Sequence, residues 1–127
     1  MSKVVLDSSA VLAYLNDEAG GDVVEASLGS ALLSTVNLAE VVARLVSNGS
    51  PRSLVRQVVD MLDLEIMDFD RSLAEEAGAM VQATKHRGLS PGDRACLALA
   101  AREKLSALTA DRAWHGLPVG VDIRLIR

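Results

Sequence analysis

The chain has 127 residues, of which half are hydrophobic and only 2% are aromatic, and its formal net charge is −4. A chain of this length is expected to form one domain, residues 1–127, with a sizeable core of Val, Leu and Ala side chains. The negative charge argues against binding nucleic acid through bulk charge alone.

The single cysteine excludes an internal disulfide, and Cys96 lies in an apolar helical run where a buried packing role is expected. The apolar stretch at the start of the chain is interrupted by Asp7, so it does not match a secretory signal. No apolar segment approaches the length that crosses a bilayer. We therefore expect a cytoplasmic protein with no membrane role.

Short apolar runs alternate with amphipathic segments along the chain. The apolar runs predict strands at residues 3–6, 31–34, 64–67 and 106–108, with a last, alternating strand at 121–126 near the sheet edge. Ser8 and Ser9 are candidate N-caps for the first helix, and Leu54 and Met61 are among the residues expected to define the apolar face of a helix near 54–62. The alternation predicts an α/β fold with three layers, α/β/α, around a central, mostly parallel sheet of four to five short strands.

The stretch LSPGDRACLALAA, residues 89–101, predicts a buried helix with an acidic residue at its beginning. Ser90 is a suitable N-cap, Pro91 fits the first helical position, and Asp93 has the spacing of a capping box. Taken alone, this spacing favours an Asp93 that only caps the helix and interacts with the helix dipole. Asp7 follows the first strand and Asp111 follows the fourth, so all three acids are expected at one edge of a parallel sheet.

Glu40 can reach the same edge from its helix. It shares a polar helical face with Asn37 and Arg44, and the simplest interpretation of Glu40 alone is a solvated residue that pairs with Arg44. Asn37 is assigned a supporting polar role.

The acids Asp7, Glu40, Asp93 and Asp111 are interpreted together as one site. Four close carboxylates repel one another, and a bound cation normally offsets that repulsion. Oxygen ligands select Mg²⁺ or Mn²⁺, and the absence of Cys and His ligand spacing argues against zinc. Such ions activate water for attack on a phosphodiester, so hydrolysis of nucleic acid is the predicted chemistry.

The segments VVLDSSAVLAYL, TVNLAEVVARL, LSPGDRACLALA and LTADRAW, in this order and spacing, resemble the PIN-domain ribonucleases, and specifically the VapC-type toxins of bacterial toxin–antitoxin pairs. The resemblance covers nearly the whole chain. It implies that the four acids are the catalytic, metal-binding quartet, and that Ser9 and Thr109 are hydroxyl positions that support it. It also implies Mg²⁺- or Mn²⁺-dependent endonucleolytic cleavage of RNA that leaves a 5′-phosphate, a homodimer, and neutralisation by a VapB-like antitoxin.

RNA recognition by such a protein would depend on basic side chains, because few aromatic residues are available to stack on bases. Arg87, Arg94 and Arg112 are the candidate RNA contacts. For Arg87, which lies in the basic loop 85–88, a plain exposed turn is the alternative.

Two other classes of function remain open. A phosphatase or phospho-acceptor domain would use Asp7 as the phosphate acceptor, but a dehalogenase-like enzyme would have a second Asp where this chain has Ser9. A receiver domain would have a further acid at the position of Leu6. The remaining class is a non-catalytic binding module whose acidic pocket receives a basic partner segment.

Overall fold

A parallel sheet lies at the centre of the computed structural model, which describes residues 3–127. Its strands are β1 (Val4–Leu6), β2 (Leu32–Ser34), β3 (Glu65–Met67), β4 (Ser106–Thr109) and β5 (Ile123–Leu125). They lie in the order β3-β2-β1-β4-β5, and each neighbouring pair is parallel. The predicted sheet is confirmed, including the edge position of the last strand.

The helices are α1 (Ser8–Leu15), α2 (Gly21–Glu25), α3 (Thr35–Ser47), α4 (Arg52–Met61), α5 (Arg71–Ala79), α6 (Val81–Thr84) and α7 (Pro91–Glu103). Single 3-10 turns follow at Lys85–Arg87 and Arg112–Trp114. The predicted caps of the first helix are wrong, because Ser8 and Ser9 lie inside α1 and Asp7 is its N-cap. The Asp7 side chain reaches the amide of Ala10 directly from the end of β1, so the helix begins earlier than expected.

Successive side chains of β1 point to opposite faces of the sheet, so the core has two layers. Val5 packs on one side of the sheet with side chains of α5 and α7, including Leu73 and Leu97. Val4 and Leu6 pack on the other side with side chains of α1, α2 and α3. The three-layer α/β/α arrangement follows from this period of two, since each face of the sheet is covered by helices.

Helix α7 is the most deeply buried helix, and small side chains allow its close approach to the sheet. Residues Ala95 to Ala100 are all buried, and Cys96 is among them as expected for a packing residue. Burial raises the pKa of the Cys96 thiol well above its ordinary value, so the thiol stays protonated.

The apolar face predicted for α4 is partly wrong. Leu54 is 47% exposed and Met61 is 83% exposed, whereas Val55 and the following Leu62 are buried. Packing against α3 selects Val55, one position away from Leu54, as the inward residue.

The strand order places a topological switch point between β1 and β4. The chain builds outward from β1 through β2 to β3, and then crosses to β4 and β5 on the other side. Ligands of open α/β sheets bind at the carboxyl edge beside such a point, and here that edge carries Asp7 and Asp111. Within residues 3–127, no helix is long and apolar enough to cross a membrane.

Candidate active site

Asp7 is the most buried of the four predicted acids, at 2% exposure. Its Oδ1 accepts hydrogen bonds of 2.8 Å from both the amide of Ala10 and the hydroxyl of Ser9. Its Oδ2 accepts one of 2.6 Å from Oγ1 of Thr109 and one of 2.9 Å from Ser9. Asp7 is therefore held at the switch point by bonds to both of its oxygens.

The hydroxyls of Ser9 and Thr109 connect the end of β1 to the end of β4. The amide of Ala110 donates to Ser9 Oγ at 2.9 Å, and the amide of Asp111 donates to Thr109 Oγ1 at 3.0 Å. Each hydroxyl therefore orients Asp7 and positions the backbone that carries Asp111, and the support of a metal-binding quartet by both residues stays a prediction.

Burial raises the pKa of Asp7 from 3.8 to about 6, although the hydrogen bonds from Thr109, Ala10 and Ser9 oppose the shift. Repulsion from Asp93 raises it further. A carboxyl group kept in such a place is costly to ionise, and perturbed carboxyls of this kind concentrate at functional sites.

Asp93 is the third residue of α7 and belongs to the predicted capping box. Its Oδ2 accepts a 2.9 Å bond from the amide of Ser90, and its own amide donates to Ser90 Oγ at 3.2 Å. Its pKa is raised by burial, and also by repulsion from Asp111 and Glu40. Asp93 is thus both a cap and a member of the acidic group, so the plain-cap interpretation is incomplete.

Glu40 faces the beginning of α7 rather than Arg44. Its Oε1 accepts a 2.8 Å hydrogen bond from Nδ2 of Asn37, which is only 1% exposed. The interpretation of Glu40 as a solvated residue that pairs with Arg44 is therefore wrong, because α3 packs this side against α7. The same amide donates to the carbonyl oxygen of Gly92 at 3.1 Å, which joins the two helices.

Asp111 is exposed and is the N-cap of the 3-10 turn after β4, where its Oδ1 accepts a 2.9 Å bond from Ala113. The charges of Asp111 and Glu40 are close enough to Asp93 to raise its pKa, and the charge of Asp93 is close enough to Asp7 to raise the pKa of Asp7. The tertiary structure therefore brings the predicted quartet of Asp7, Glu40, Asp93 and Asp111 to one edge of the sheet.

The donor chemistry of this quartet fits a hard divalent cation. None of the ion pairs within residues 3–127 involves these four carboxylates, so no basic side chain there offsets their repulsion by direct pairing. Across the described chain, however, no three His, Cys, Asp or Glu side chains are grouped closely enough to hold one ion. At least some of these side chains must therefore move closer together to share one ion.

The three candidate RNA contacts lie around the acidic edge. Nη1 of Arg87 donates to the carbonyls of Ala113 at 3.0 Å and His115 at 2.8 Å, so Arg87 ties its loop to the turn after Asp111. Nη1 of Arg94 donates to Leu89 at 2.9 Å. Arg112 is exposed beside Asp111. Contact of these arginines with RNA stays a prediction.

The fold is an open parallel α/β sheet, and it carries the four acids at its carboxyl edge beside the switch point. The family model described as PIN domain matches residues 4–119. The chain belongs to the PIN-domain family, as the sequence motifs predicted. A comparison with curated proteins found no match.

Solved structures share the fold at low sequence identity. A toxin–antitoxin complex from Klebsiella pneumoniae superposes with a TM-score of 0.79 at 17% identity, covering 98% of this chain and 98% of that chain. DNA-bound VapBC from Salmonella typhimurium gives 0.74 at 20% identity, covering 100% of both chains. The Sarcin-Ricin loop cleaving toxin VapC20 of Mycobacterium tuberculosis gives 0.70 at 21% identity, covering 94% of this chain and 98% of that chain.

Sequence reasoning missed Gly92. A Cβ atom on this residue would lie 2.7 Å from Cδ and 2.8 Å from Oε1 of Glu40, closer than real Cβ contacts allow. A glycine in the first turn of a helix, where alanine is the better helix former, is the signal that could have marked it.

Proposed function

We propose that this chain is a Mg²⁺- or Mn²⁺-dependent endoribonuclease and the toxin of a VapBC-type pair, inhibited by a VapB-like antitoxin. One observation carries the catalytic part of the proposal. Asp7 and Asp111 follow two strands and Glu40 and Asp93 lie in two helices, yet the fold gathers all four at one edge of the sheet. Burial there, and less strongly repulsion between the acids, raises the pKa values of Asp7 and Asp93. Arrangements that are costly for the folded protein are retained mainly where function needs them.

The residues that would hold the ion are Asp7, Glu40, Asp93 and Asp111. When bound, the ion lowers the pKa of a water molecule and stabilises the charge that develops on the phosphodiester. Carboxylate oxygens of this kind are the ligands that Mg²⁺ and Mn²⁺ prefer.

The chain's own residues prepare this site in defined ways. Ser9 and Thr109 hold Asp7 in one orientation and donate to its charged form. Ser90 holds one oxygen of Asp93. Arg94 and Arg112 flank the acids, where a guanidinium group could bind a phosphate of the RNA and reduce its repulsion from the carboxylates.

The phospho-acceptor alternative is less compatible with the geometry. A nucleophilic carboxylate must be reached by the phosphorus atom of a substrate, whereas Asp7 is only 2% exposed. A non-catalytic module whose acidic pocket binds a basic partner segment stays the second candidate, and an RNA cleavage assay separates it from a nuclease.

The antitoxin part of the proposal is supported by the solved complexes that share the fold, which include a toxin–antitoxin complex and VapBC bound to DNA. Direct ion pairing with these four carboxylates is absent among residues 3–127, so an arginine of a partner could bind them and compete with the metal. We also propose that the toxin is a homodimer, as the family resemblance implies.

The deciding experiment is cleavage of a labelled pool of structured RNA by the purified, partner-free protein, with Mg²⁺, with Mn²⁺ and with EDTA. The Asp93→Asn variant keeps an oxygen for the Ser90 amide but removes the charge. Asp70→Asn is the control, because Asp70 is also an aspartate that caps a helix, as the N-cap of α5, but lies at an exposed position outside the quartet.

We expect metal-dependent cuts with 5′-phosphate ends that disappear in Asp93→Asn and persist in Asp70→Asn. Equal cleavage by the wild type and Asp93→Asn would contradict the proposed site. A folded protein that binds Mn²⁺ but cuts none of the pooled RNA would favour the acidic binding module.

A further inference from the structure

Glu40 lies within α3, whereas the other three acids of the quartet lie at a strand end or in a helix cap. Its side chain has several rotatable bonds, so something must restrict it if it is to be a ligand in a defined place. Two residues contact its carboxyl group: Asn37, one turn earlier in α3, and Gly92, the second residue of α7.

Asn37 uses both amide hydrogens at this junction. Nδ2 donates one hydrogen to Glu40 Oε1 at an N–O distance of 2.8 Å and the other to the carbonyl oxygen of Gly92 at 3.1 Å. Rotating the amide by 180° would turn Oδ1 toward two acceptor oxygens, so the hydrogen-bond network assigns the orientation. In this orientation Oδ1 is buried and, among residues 3–127, has no hydrogen-bond partner.

An unsatisfied buried oxygen destabilises a folded protein, and an apolar side chain of similar size would avoid that cost. Asn37 is therefore poorly explained as a core residue. It is well explained by the two bonds that it donates, one of which restrains Glu40.

The backbone conformation at position 92 does not require a glycine. Gly92 lies in the first turn of α7 and does not adopt the left-handed conformation that favours glycine. Its missing side chain is explained by the Glu40 carboxyl group, which occupies the space that a Cβ would take.

We propose that Asn37 and Gly92 are positioning residues that hold the Glu40 carboxylate at the metal site: Asn37 restrains it by a hydrogen bond, and Gly92 provides the space in which it lies. The inference rests on the proposed function, because Glu40 is a ligand only if the site binds a metal ion. It adds two residues outside the acidic quartet whose substitution changes the site without removing a charge.

The first test is the Gly92→Ala variant, with Gly78→Ala as the matched control. Gly78 is also helical, and a Cβ there meets nothing within 4 Å. Mn²⁺ affinity is measured by titration calorimetry, and the side-chain amide signals of Asn37 are recorded by NMR in the metal-free protein. We expect Gly92→Ala to weaken Mn²⁺ binding roughly 10- to 100-fold, as is typical when the support of a ligand is lost.

Gly92→Ala is also expected to shift the Asn37 amide signals while leaving the chain no easier to unfold, since alanine is the better helix former. Gly78→Ala should change neither the Mn²⁺ affinity nor the Asn37 amide signals. Asn37→Leu should likewise weaken Mn²⁺ binding, because it keeps the approximate volume but removes both donors.

A double-mutant cycle tests whether the contact with Glu40 is the cause. Glu40→Asp shortens the side chain, so it should cost less Mn²⁺ affinity in the Gly92→Ala background than in the wild-type background. Additive losses, together with unshifted Asn37 signals, would overturn the inference even if the wild type binds Mn²⁺ and cleaves RNA.

If the wild type neither binds Mn²⁺ nor cleaves RNA, the proposed function fails by itself. The Asn37 signals of the metal-free protein then still decide the positioning contact. A shift in Gly92→Ala and none in Gly78→Ala would support the contact, and equal spectra would overturn it.

Discussion

Thr109 Oγ1 donates a 2.6 Å hydrogen bond to Asp7 Oδ2 across 102 positions of sequence, between the ends of β4 and β1. This bond is the largest of the favourable contributions that keep the pKa of buried Asp7 from rising further. The two strands are neighbours at the switch point of the sheet. Their pairing therefore places the hydroxyl that stabilises the ionised form of Asp7.

Thr109→Val should therefore raise the pKa of Asp7 above about 6, because the ionised carboxylate loses its best donor. We expect a loss of roughly 1.5–3 kcal/mol in the free energy of unfolding at neutral pH, the usual range for a bond to a charged group. Denaturant unfolding and an NMR titration of Asp7 measure the two effects.

Thr84→Val is the control, since Thr84 is equally buried and donates a 2.8 Å bond to the carbonyl of Met80. Thr84→Val should reduce stability without moving the Asp7 titration, and an unmoved titration in Thr109→Val would contradict the assignment.

Asp7 should also make stability depend on pH. Its pKa is about 6 in the folded chain against 3.8 ordinarily, so the folded chain binds more protons between these values. The free energy of unfolding should then fall by up to about 3 kcal/mol as pH rises from about 4 to about 6, and remain level above that. Asp7→Asn keeps an oxygen for the Ala10 amide and should be more stable than the wild type at pH 7 but not at pH 4. Urea unfolding in EDTA at both pH values checks this. An equal gain at both values would show that ionisation is not the cause, and Asp68→Asn, at an exposed position, provides the comparison.

Mn²⁺ should stabilise the folded chain if the quartet is its site. At 100 times the dissociation constant, a ligand specific for the folded state adds about 2.7 kcal/mol, which raises Tm by several degrees. The gain should shrink as pH falls through about 6, because protonation of Asp7 competes with the ion. Thermal melts with and without Mn²⁺ test this, with Glu40→Gln expected to lose the gain and Asp70→Asn to keep it. A Tm that Mn²⁺ leaves unchanged in the wild type would contradict the metal site.

Ser90→Ala should remove half of the capping box that begins α7. We expect a loss of about 1 kcal/mol in the free energy of unfolding, measured with urea. The backbone amide of Ser90 still donates to Asp93 Oδ2 in this variant, so Mn²⁺ affinity should be kept. Ser72→Ala is the control within the first turn of α5, and it should leave the free energy of unfolding unchanged. A Ser90→Ala variant with wild-type stability would show that the box contributes little.

Arg112 should contact a phosphate of the RNA rather than a base. Arg112→Gln is then expected to raise KM with little change in kcat and to reduce the salt dependence of RNA binding by about one unit of slope. Arg124→Gln is the control, because Arg124 pairs with Asp122 at the other end of the sheet, near the start of β4. Identical salt slopes for the wild type and Arg112→Gln would rule out the contact.

The order of elements and most of the acidic site could be predicted from local patterns. Buried strands appear as short apolar runs, and a parallel sheet places their carboxyl ends at one edge, so Asp7 and Asp111 had to lie near each other. Asp93 could be placed as well, because the Ser90 capping box is a purely local feature.

Side-chain burial on the helices was less predictable. The same amphipathic pattern suggested Leu54 for the inner face of α4, where the structure selects Val55. Asp7 replaced Ser8 and Ser9 as the cap of α1, because the closeness of the strand end to the helix allowed a longer side chain to reach the amide.

The sequence by itself determined the alternation of strands and helices, the identities of the four acids and their approximate common edge, because each depends on local periodicity and chain direction. Only the tertiary structure decided how Glu40 is held. Asn37 and Gly92 are 55 positions apart, and their contact exists because α3 packs against α7. Close packing of two helices cannot be inferred from the pattern of either one, since it depends on the shapes of both surfaces together.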